Sequence, residues 1–179
     1  ISKRSGLPNG LPIPAACGME HYMDGPNVHR YLREFRQVLN EYDCFVVGEA
    51  PMMNEKNALR YIKEGPKQEL DMMFHFEHME ADCLFTDVFQ KPFDLRKLKK
   101  AFSKWQYALQ GKGWNALYLE NHDHPRVISR YGSEKYRVVS GKMLANCYML
   151  QQGTPFIYQG QEIGMTNINL PNPDDYQDV

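Results

Sequence analysis

The first pattern in the chain is a stripe of apolar residues at helical spacing. It consists of Val28, Tyr31, Leu32, Phe35, Val38, Leu39 and Tyr42. Residues three and four apart share one face of an α-helix, and Pro26 suits the first turn. The pattern therefore predicts a helix over residues 26–41. The short apolar run at 44–48 is typical of a strand that is buried on both faces of a parallel sheet.

The alternation of helix and strand continues to residue 158. Helices are predicted at 54–62, 94–110 and 133–150, and strands at 72–76, 114–119 and 154–158. In the helix at 94–110, Asp94 is the predicted cap, and the predicted buried stripe is Leu95, Leu98, Phe102, Trp105 and Leu109. Segments 2–14 and 170–179, rich in Gly, Pro, Asn and Asp, are predicted to be loops.

Strict alternation of this kind predicts an α/β fold with a parallel sheet and crossover helices. About four such strands make half of a (β/α)8 TIM barrel, whose usual size is roughly 250 residues. Two further groups have plain structural interpretations. The basic run at 96–100 lies opposite the apolar stripe of its helix and is predicted to face solvent. The methionines Met72, Met73, Met143 and Met149 are predicted to fill the core.

Composition narrows the classes of partner. The chain of 179 residues is 42% hydrophobic and 24% charged, with a formal net charge of -1. We expect no nucleic-acid partner, because near-neutral charge gives no electrostatic footprint, and no membrane, because the apolar runs are far shorter than roughly 20 residues. The cysteines Cys17, Cys44, Cys83 and Cys147 form no C-x-x-C pair, which favours a reduced, cytoplasmic setting.

Polar residues follow several of the predicted strands. In parallel α/β proteins the active site lies beyond the carboxyl ends of the strands. Glu49 follows the run at 44–48, the string ENHDHPR occupies 120–126, and QGQE occupies 159–162. We expect these segments to converge on one face of a barrel.

Glu49 directly follows an apolar run, so we expect its carboxyl group at the rim of a low-dielectric core. Loss of water there favours the protonated acid, which suits the residue to donating a proton. A glutamate at a strand end can also face solvent or cap the next helix. Position alone leaves both interpretations open.

The string at 121–126 offers hydrogen-bond donors and acceptors that suit a polyhydroxyl substrate. A metal site is the rival interpretation, since His122, Asp123 and His124 could bind zinc or iron. Adjacent residues of an extended strand point to opposite faces, however, so a tridentate site is awkward and we predict no metal and no cofactor. A structural ion-pair network is a further alternative.

Taken in order, these strings resemble the later signature regions of the α-amylase family of glycoside hydrolases. They are FVVGE at 45–49, ENHDHPR at 120–126 and GTPFIYQGQEIGM at 153–165, with DGPNVH at 24–29 and FHFEHM at 74–79. The branch with oligo-1,6-glucosidase, α-glucosidase and dextran glucosidase is the most similar. The resemblance implies that residues 1–179 are the C-terminal half of a catalytic (β/α)8 barrel. The preceding half-barrel and the following β-sandwich domain of the family are expected to be absent from the chain.

The resemblance also implies a role for each matching residue. Glu49 corresponds to the general acid and base. Asp123 corresponds to the acid that binds sugar hydroxyls and stabilises the oxocarbenium-like transition state. His122 corresponds to a hydrogen-bond partner of the same glucose, Phe76 to an aromatic side chain that shapes the pocket, and Arg126 to an orienting partner of carboxylates.

One catalytic group of the family has no counterpart in the chain. Retaining hydrolysis needs a nucleophilic carboxylate about 5 Å from the acid. In the family it is an Asp in a pattern resembling G-F-R-x-D, which we expect a few residues before Ile1. The remainder of the barrel is therefore an expected partner, and the chain alone is expected to be inactive. The family usually has Gln where this chain has His124, which leaves the contacts on the aglycone side open.

The expected activity is retaining hydrolysis of α-glucosidic bonds in oligosaccharides, of the oligo-1,6-glucosidase or α-glucosidase type. Two alternatives stay open. Trehalose-6-phosphate hydrolysis would need extra Lys or Arg for the phosphate. A non-catalytic barrel, similar to the heavy subunits of amino-acid transporters, would lack the catalytic carboxylates. Retention of Glu49, His122 and Asp123 favours the enzyme.

Overall fold

In the computed structural model, residues 23–84 and 89–175 are described, and they fall into two units that divide between Trp114 and Asn115. The first unit contains helix α1 (Val28–Leu39), strand β1 (Val47–Ala50), helix α2 (Glu55–Ile62) and strand β2 (Met72–His75). A 3-10 turn (Glu77–Glu80), the antiparallel strands β3 (Cys83–Leu84) and β4 (Phe89–Gln90), and helix α3 (Leu95–Leu109) follow.

Strand β5 (Trp114–Leu117) begins at the last residue of the first unit. The second unit continues with helix α4 (Val127–Tyr131), a 3-10 turn (Glu134–Tyr136), helix α5 (Arg137–Met149) and strand β6 (Thr154–Pro155). Two more 3-10 turns, Gln161–Ile163 and Pro173–Asp175, complete it.

The strands that the helices connect run parallel. β1 pairs with β2, with Glu49 opposite Phe74, and β5 pairs with β6, with Leu117 opposite Pro155. A helix lies between the two strands of each pair along the chain, which is the connection that parallel pairing requires. The predicted α/β class with crossover helices is confirmed.

The core of the first unit lies between the β1–β2 pair and helices α2 and α3. Its buried residues are Ala50, Ala58, Tyr61, Ile62, Leu70, Met73, Trp105 and Leu109. Successive side chains of a strand alternate between the two faces of the sheet. Because Ala50 and Met73 face the helices, Glu49 and Phe74 lie on the opposite face.

Helices α2 and α3 begin where their capping residues predict. The side chain of Asn54 accepts a hydrogen bond from the backbone N–H of Asn57 at 2.9 Å, and that of Asp94 accepts one from Arg96 at 2.9 Å. These bonds satisfy amides that have no partner inside the helix. Both predicted helices are therefore correct to within one residue at each end.

The predicted helix at 26–41 is present as α1, whereas the prediction for β1 was partly wrong. The apolar residues Tyr31, Phe35, Val38 and Tyr42 are all more than half exposed, and no residue of α1 is buried. β1 begins at Val47 instead of residue 44, and Phe45 is exposed instead of buried. Within the described ranges, no element covers this side of the first unit.

Smaller differences concern single positions. Leu95, the first residue of α3, is exposed, whereas Ala101 is buried, because it shares the face of Leu98 and Trp105. Met72 and Met73 are buried as predicted, but Met143 is exposed.

The charged residues of the basic run, Arg96, Lys97, Lys99 and Lys100, face solvent as predicted. The predicted helix at 133–150 divides into a 3-10 turn and α5, and the predicted final loop contains a 3-10 turn. Segment 2–14 and Cys17 lie outside the described residues. Among the described helices, none combines the length and the apolar character needed to cross a bilayer.

Candidate active site

Glu49 lies one residue before the end of β1, on the sheet face turned away from α2 and α3. The preceding residue must be small, because a Cβ atom on Gly48 would lie 2.6 Å from Cδ1 of Leu70. Gly48 thus lets Leu70 pack under the strand. The side chain of Glu49 is exposed, which corrects the expectation that the core would shield it. The described residues supply no group that covers its carboxylate.

The segment after β2 is held by α3. The carboxylate of Glu77 accepts hydrogen bonds from Nζ of Lys104 and from the indole N–H of Trp105, each at 2.9 Å. Lys104 also lies 2.9 Å from Oε2 of Glu55, the first residue of α2. Burial lowers the pKa of Lys104, but hydrogen bonds to Glu77 and Glu55 outweigh it and raise the pKa above its usual value. Lys104 therefore links the segments that follow β1 and β2.

His75, the last residue of β2, and Phe76, which follows it, are both buried. The His75 ring stacks on Trp105, with 3.9 Å between ring centroids and 3° between planes. Burial lowers the pKa of His75 well below its usual value, with smaller effects of His78 and Lys104 in the same direction, so the ring is neutral. Phe76, the predicted aromatic of the pocket, is 6% exposed. The packed residues on either side of it, His75 and Glu77, therefore fix the backbone position of Phe76.

His122 and Asp123 lie together in the turn after β5. Nε2 of His122 is 3.4 Å from Oδ2 of Asp123, and the two side chains are 70% and 56% exposed. Oδ1 of Asn121 accepts a hydrogen bond from the backbone N–H of Asp123 at 3.0 Å and lies 2.9 Å from Nδ1 of His124. The turn that Asn121 forms with Asp123 directs the side chains of His122 and Asp123 outward, where a ligand can reach them.

Arg126 was predicted to orient carboxylates, and in the structure its guanidinium binds the carboxylate of Glu120. Nη1 of Arg126 donates to Oε1 of Glu120 at 2.8 Å and to the carbonyl oxygen of Gln159 at 2.7 Å. The guanidinium carbon lies 4.6 Å from the ring centroid of Tyr158, a cation–π distance. Arg126 thus connects the turn after β5 to the segment after β6.

Glu120 is not among the predicted site residues, although the sequence contains a signal for it. Glu120 ends a run in which Ala116, Leu117, Tyr118 and Leu119 are all buried. A glutamate at the end of such a run is rarely buried unless it has a cationic or hydrogen-bonding partner. Arg126 is the nearest arginine that follows in the string ENHDHPR.

The described residues contain no group of three or more His, Cys, Asp and Glu side chains that could hold a metal ion.

The structure brings His122 close to Asp123 and brings Arg126 close to Glu120. Glu49 and Phe76 belong to the first unit, and the other predicted site residues belong to the second.

Residues 1–178 match the family described as alpha amylase, catalytic domain. The chain belongs to the α-amylase family. Over its full length it is 48% identical to an oligo-1,6-glucosidase of Parageobacillus thermoglucosidasius and 45% identical to one of Bacillus cereus, and it covers 33% of each. Among solved structures it is similar to the trehalose-6-phosphate hydrolase of Bacillus licheniformis. That match has 45% identity and a TM-score of 0.81, and it covers 90% of this chain and 30% of the hydrolase.

Membership in the α-amylase family confirms the family resemblance and the predicted fold class, part of a (β/α)8 barrel. The chain spans about a third of the length of the curated relatives it matches.

Proposed function

We propose that the protein containing this chain hydrolyses α-glucosidic bonds in oligosaccharides with retention of configuration. The observation that carries the proposal is an exposed carboxylate near the end of a parallel strand in each unit, Glu49 in β1 and Asp123 after β5. A retaining glycosidase needs more than one carboxylate with different duties. The similarity to oligo-1,6-glucosidases over the full chain supports this substrate class.

In this proposal Glu49 donates a proton to the leaving oxygen and later accepts one from the attacking water. Asp123 and His122 bind sugar hydroxyls, and the charge of Asp123 stabilises the oxocarbenium-like transition state. Phe76 contributes an apolar wall, and Arg126 orients carboxylates. A further part of the same protein, outside the 179 residues, supplies the nucleophile, and no cofactor takes part.

Replacing Glu49 by Gln in the full-length protein tests the proposal. The amide keeps the shape of the side chain but cannot donate the proton, so we expect kcat on isomaltose or maltose to fall by about 10²–10⁴-fold. The control is Glu64→Gln, which changes an exposed carboxylate of the same unit and is expected to retain wild-type turnover. Unchanged turnover of the sugars and of p-nitrophenyl α-glucoside by Glu49→Gln would show that the assignment is wrong.

Hydrolysis of trehalose 6-phosphate is a second candidate, because the chain is 45% identical to a trehalose-6-phosphate hydrolase over 90% of its length. A phosphorylated substrate needs cationic side chains beside the pocket. Comparing kcat/KM of the full-length protein for trehalose 6-phosphate, isomaltose and maltose distinguishes the two candidates. A strong preference for the phosphorylated disaccharide would support the second.

We further propose that the protein is cytoplasmic. Cys44, Cys83 and Cys147 are free thiols, and free thiols are typical of a reducing compartment. Cell fractionation with an antibody against the protein tests this location, and recovery outside the cytoplasmic fraction would contradict it.

A further inference from the structure

We infer that Glu120 is a positioning residue, which together with Arg126 fixes the loop that carries His122 and Asp123. The inference rests on the proposed function, because it assumes that Asp123 contacts the sugar. Glu120 itself is buried and does not reach solvent, so it acts through the residues it binds.

Both carboxylate oxygens of Glu120 are engaged. Oε1 accepts from Nη1 of Arg126 at 2.8 Å, and Oε2 accepts from the backbone N–H of Val127 at 2.6 Å. These bonds join the residue before the loop to the residues at its end, so the loop of residues 121–125 is closed at its base. The Glu120 side chain is only 1% exposed, and loss of its charge would leave the guanidinium without its buried counter-ion.

The orientation of the His122 and Asp123 side chains depends on the loop being closed at its base. In the part of the chain that the structure describes, the 3.4 Å approach of Nε2 of His122 to Oδ2 of Asp123 is the polar contact that these two side chains make. The bond from the Asp123 backbone to Asn121 is internal to the loop. The orientation of the pair therefore follows the loop backbone, which Glu120 holds.

Arg126 extends the same anchor to the segment after β6. Besides its bond to the Gln159 carbonyl and its contact with the Tyr158 ring, its backbone N–H donates to Oδ1 of Asn167 at 2.7 Å. Gly160 leaves room mainly for Met165, because a Cβ atom there would collide with its Sδ, and it would also lie 3.3 Å from Nη2 of Arg126. Lysine could not replace this geometry, since only the planar guanidinium presents several donors in a fixed fork.

A loosened loop affects the transition state more than the ground state. An enzyme accelerates a reaction only through interactions that strengthen in the transition state. The Asp123 carboxylate must lie close to the charge that develops on the sugar ring, so a shift of the loop weakens this charge interaction more than the hydroxyl hydrogen bonds that are made in both states. Loss of Glu120 should therefore lower kcat more than it changes KM.

The test is Glu120→Gln in the full-length protein. We expect kcat on isomaltose or maltose to fall by about 100-fold, the size of effect that a misplacement of about 1 Å produces, while KM changes by less than about 3-fold. Affinity for a cationic iminosugar, which mimics the transition-state charge, should fall with kcat, whereas affinity for glucose should change by less than about 3-fold, as KM does.

Asp71→Asn is the matched control for loss of a carboxylate. Asp71 binds the guanidinium of Arg36 and accepts a hydrogen bond from the backbone N–H of Val46 at 2.6 Å. Its partners are thus of the same two kinds as those of Glu120, an arginine and a backbone amide. It lies in the first unit and has no proposed contact with substrate. We expect a comparable loss of thermal stability but kcat within about 3-fold of wild type at temperatures well below the melting point.

Arg126→Lys provides a second variant if Glu120→Gln does not fold, and the same selective loss of kcat is expected. Wild-type kcat in a folded variant of either position, or an equal kcat loss in Asp71→Asn, would overturn the positioning role. Asp123→Asn separates the two hypotheses. If it keeps full kcat, the proposed function fails. If it loses activity while Glu120→Gln keeps it, only the role of Glu120 fails.

Discussion

Asp71 joins three elements of the first unit through one carboxylate. Both terminal nitrogens of Arg36, on α1, bind it, and the backbone N–H of Val46 donates to it just before β1. Asp71 itself directly precedes β2. Bidentate pairs between arginine and carboxylate are among the stronger polar contacts in proteins. Asp71 therefore helps to hold α1 and the first ends of both strands together, whereas Glu49 lies near the other end of β1.

The pH dependence of stability should report this contact. The hydrogen bond from Arg36 lowers the pKa of Asp71 below its usual value of 3.8, against the opposing effect of burial. A group with a lowered pKa in the folded state stabilises the fold above its unfolded pKa, and this contribution is lost as the pH falls through the folded-state pKa. We expect Asp71→Asn to lose about 2 kcal/mol at neutral pH, and less below pH 3.8.

Denaturant unfolding of the full-length wild type and Asp71→Asn over a pH series measures the difference. Glu64→Gln serves as the control, because Glu64 is an exposed carboxylate of the same unit that lies outside the contact between Asp71 and Arg36. A stability difference that stayed constant from neutral to acid pH would rule out ionisation of Asp71 as the cause.

Among the elements, those with local start signals were predicted best. Asn54 and Asp94 cap their helices through bonds to amides two or three residues away, so the sequence alone contains the necessary information. β6 is shorter than predicted, because its extent depends on pairing with β5. The pair β3 and β4 was not predicted, since its strands have two residues each and show no apolar period.

The start of β6 provides a prediction at this scale. Gly153 has φ +149°, and a Cβ atom there would lie 2.6 Å from the carbonyl oxygen of Asn115 and 2.8 Å from Cγ of Leu117. Gly65 has φ +130°, with no atom within 4 Å of its Cβ position. Alanine is strained at both, by about 1 kcal/mol. Gly153→Ala should lose about 1–3 kcal/mol more, because it also collides with β5.

Thermal unfolding of full-length Gly153→Ala and Gly65→Ala separates the effect of backbone strain from that of the collision with β5. Gly65→Ala is the matched control, since it has the strain without the contact. Equal losses for the two variants would show that close packing of Gly153 against β5 is not the cause.

For the whole molecule, large apolar side chains are exposed in both units. In the first unit they include Tyr31, Phe35, Val38 and Tyr42, and in the second unit Val138, Val139, Met143 and Leu150. Extended apolar surface of this kind is usually covered by another part of the protein or by a partner. The curated relatives are about three times as long as this chain. We expect this surface to be covered in the full-length protein.

Because this apolar surface is exposed, the purified 179-residue chain is expected to self-associate. Because it has no counterpart of the nucleophile, it is expected to show no glucosidase turnover. Light scattering after size exclusion measures the association, and Phe35→Glu should reduce it, because a charge on the exposed face of α1 resists burial. Gln37→Glu, at an exposed polar position of the same helix, is the control. A monomeric wild-type chain, or measurable turnover of p-nitrophenyl α-glucoside, would contradict the prediction.

The sequence by itself determined the α/β class and the capped helices, and it predicted the site residues Glu49, His122 and Asp123. Periodicity, caps and short strings are local, so they can be read along the chain. Only the tertiary structure decided that Glu49 is exposed, that one face of α1 is uncovered, and that Glu120 is the partner of Arg126. Burial and pairing depend on residues far apart in the chain. Arg36 and Asp71 are separated by 35 residues, and Arg126 and Asn167 by 41.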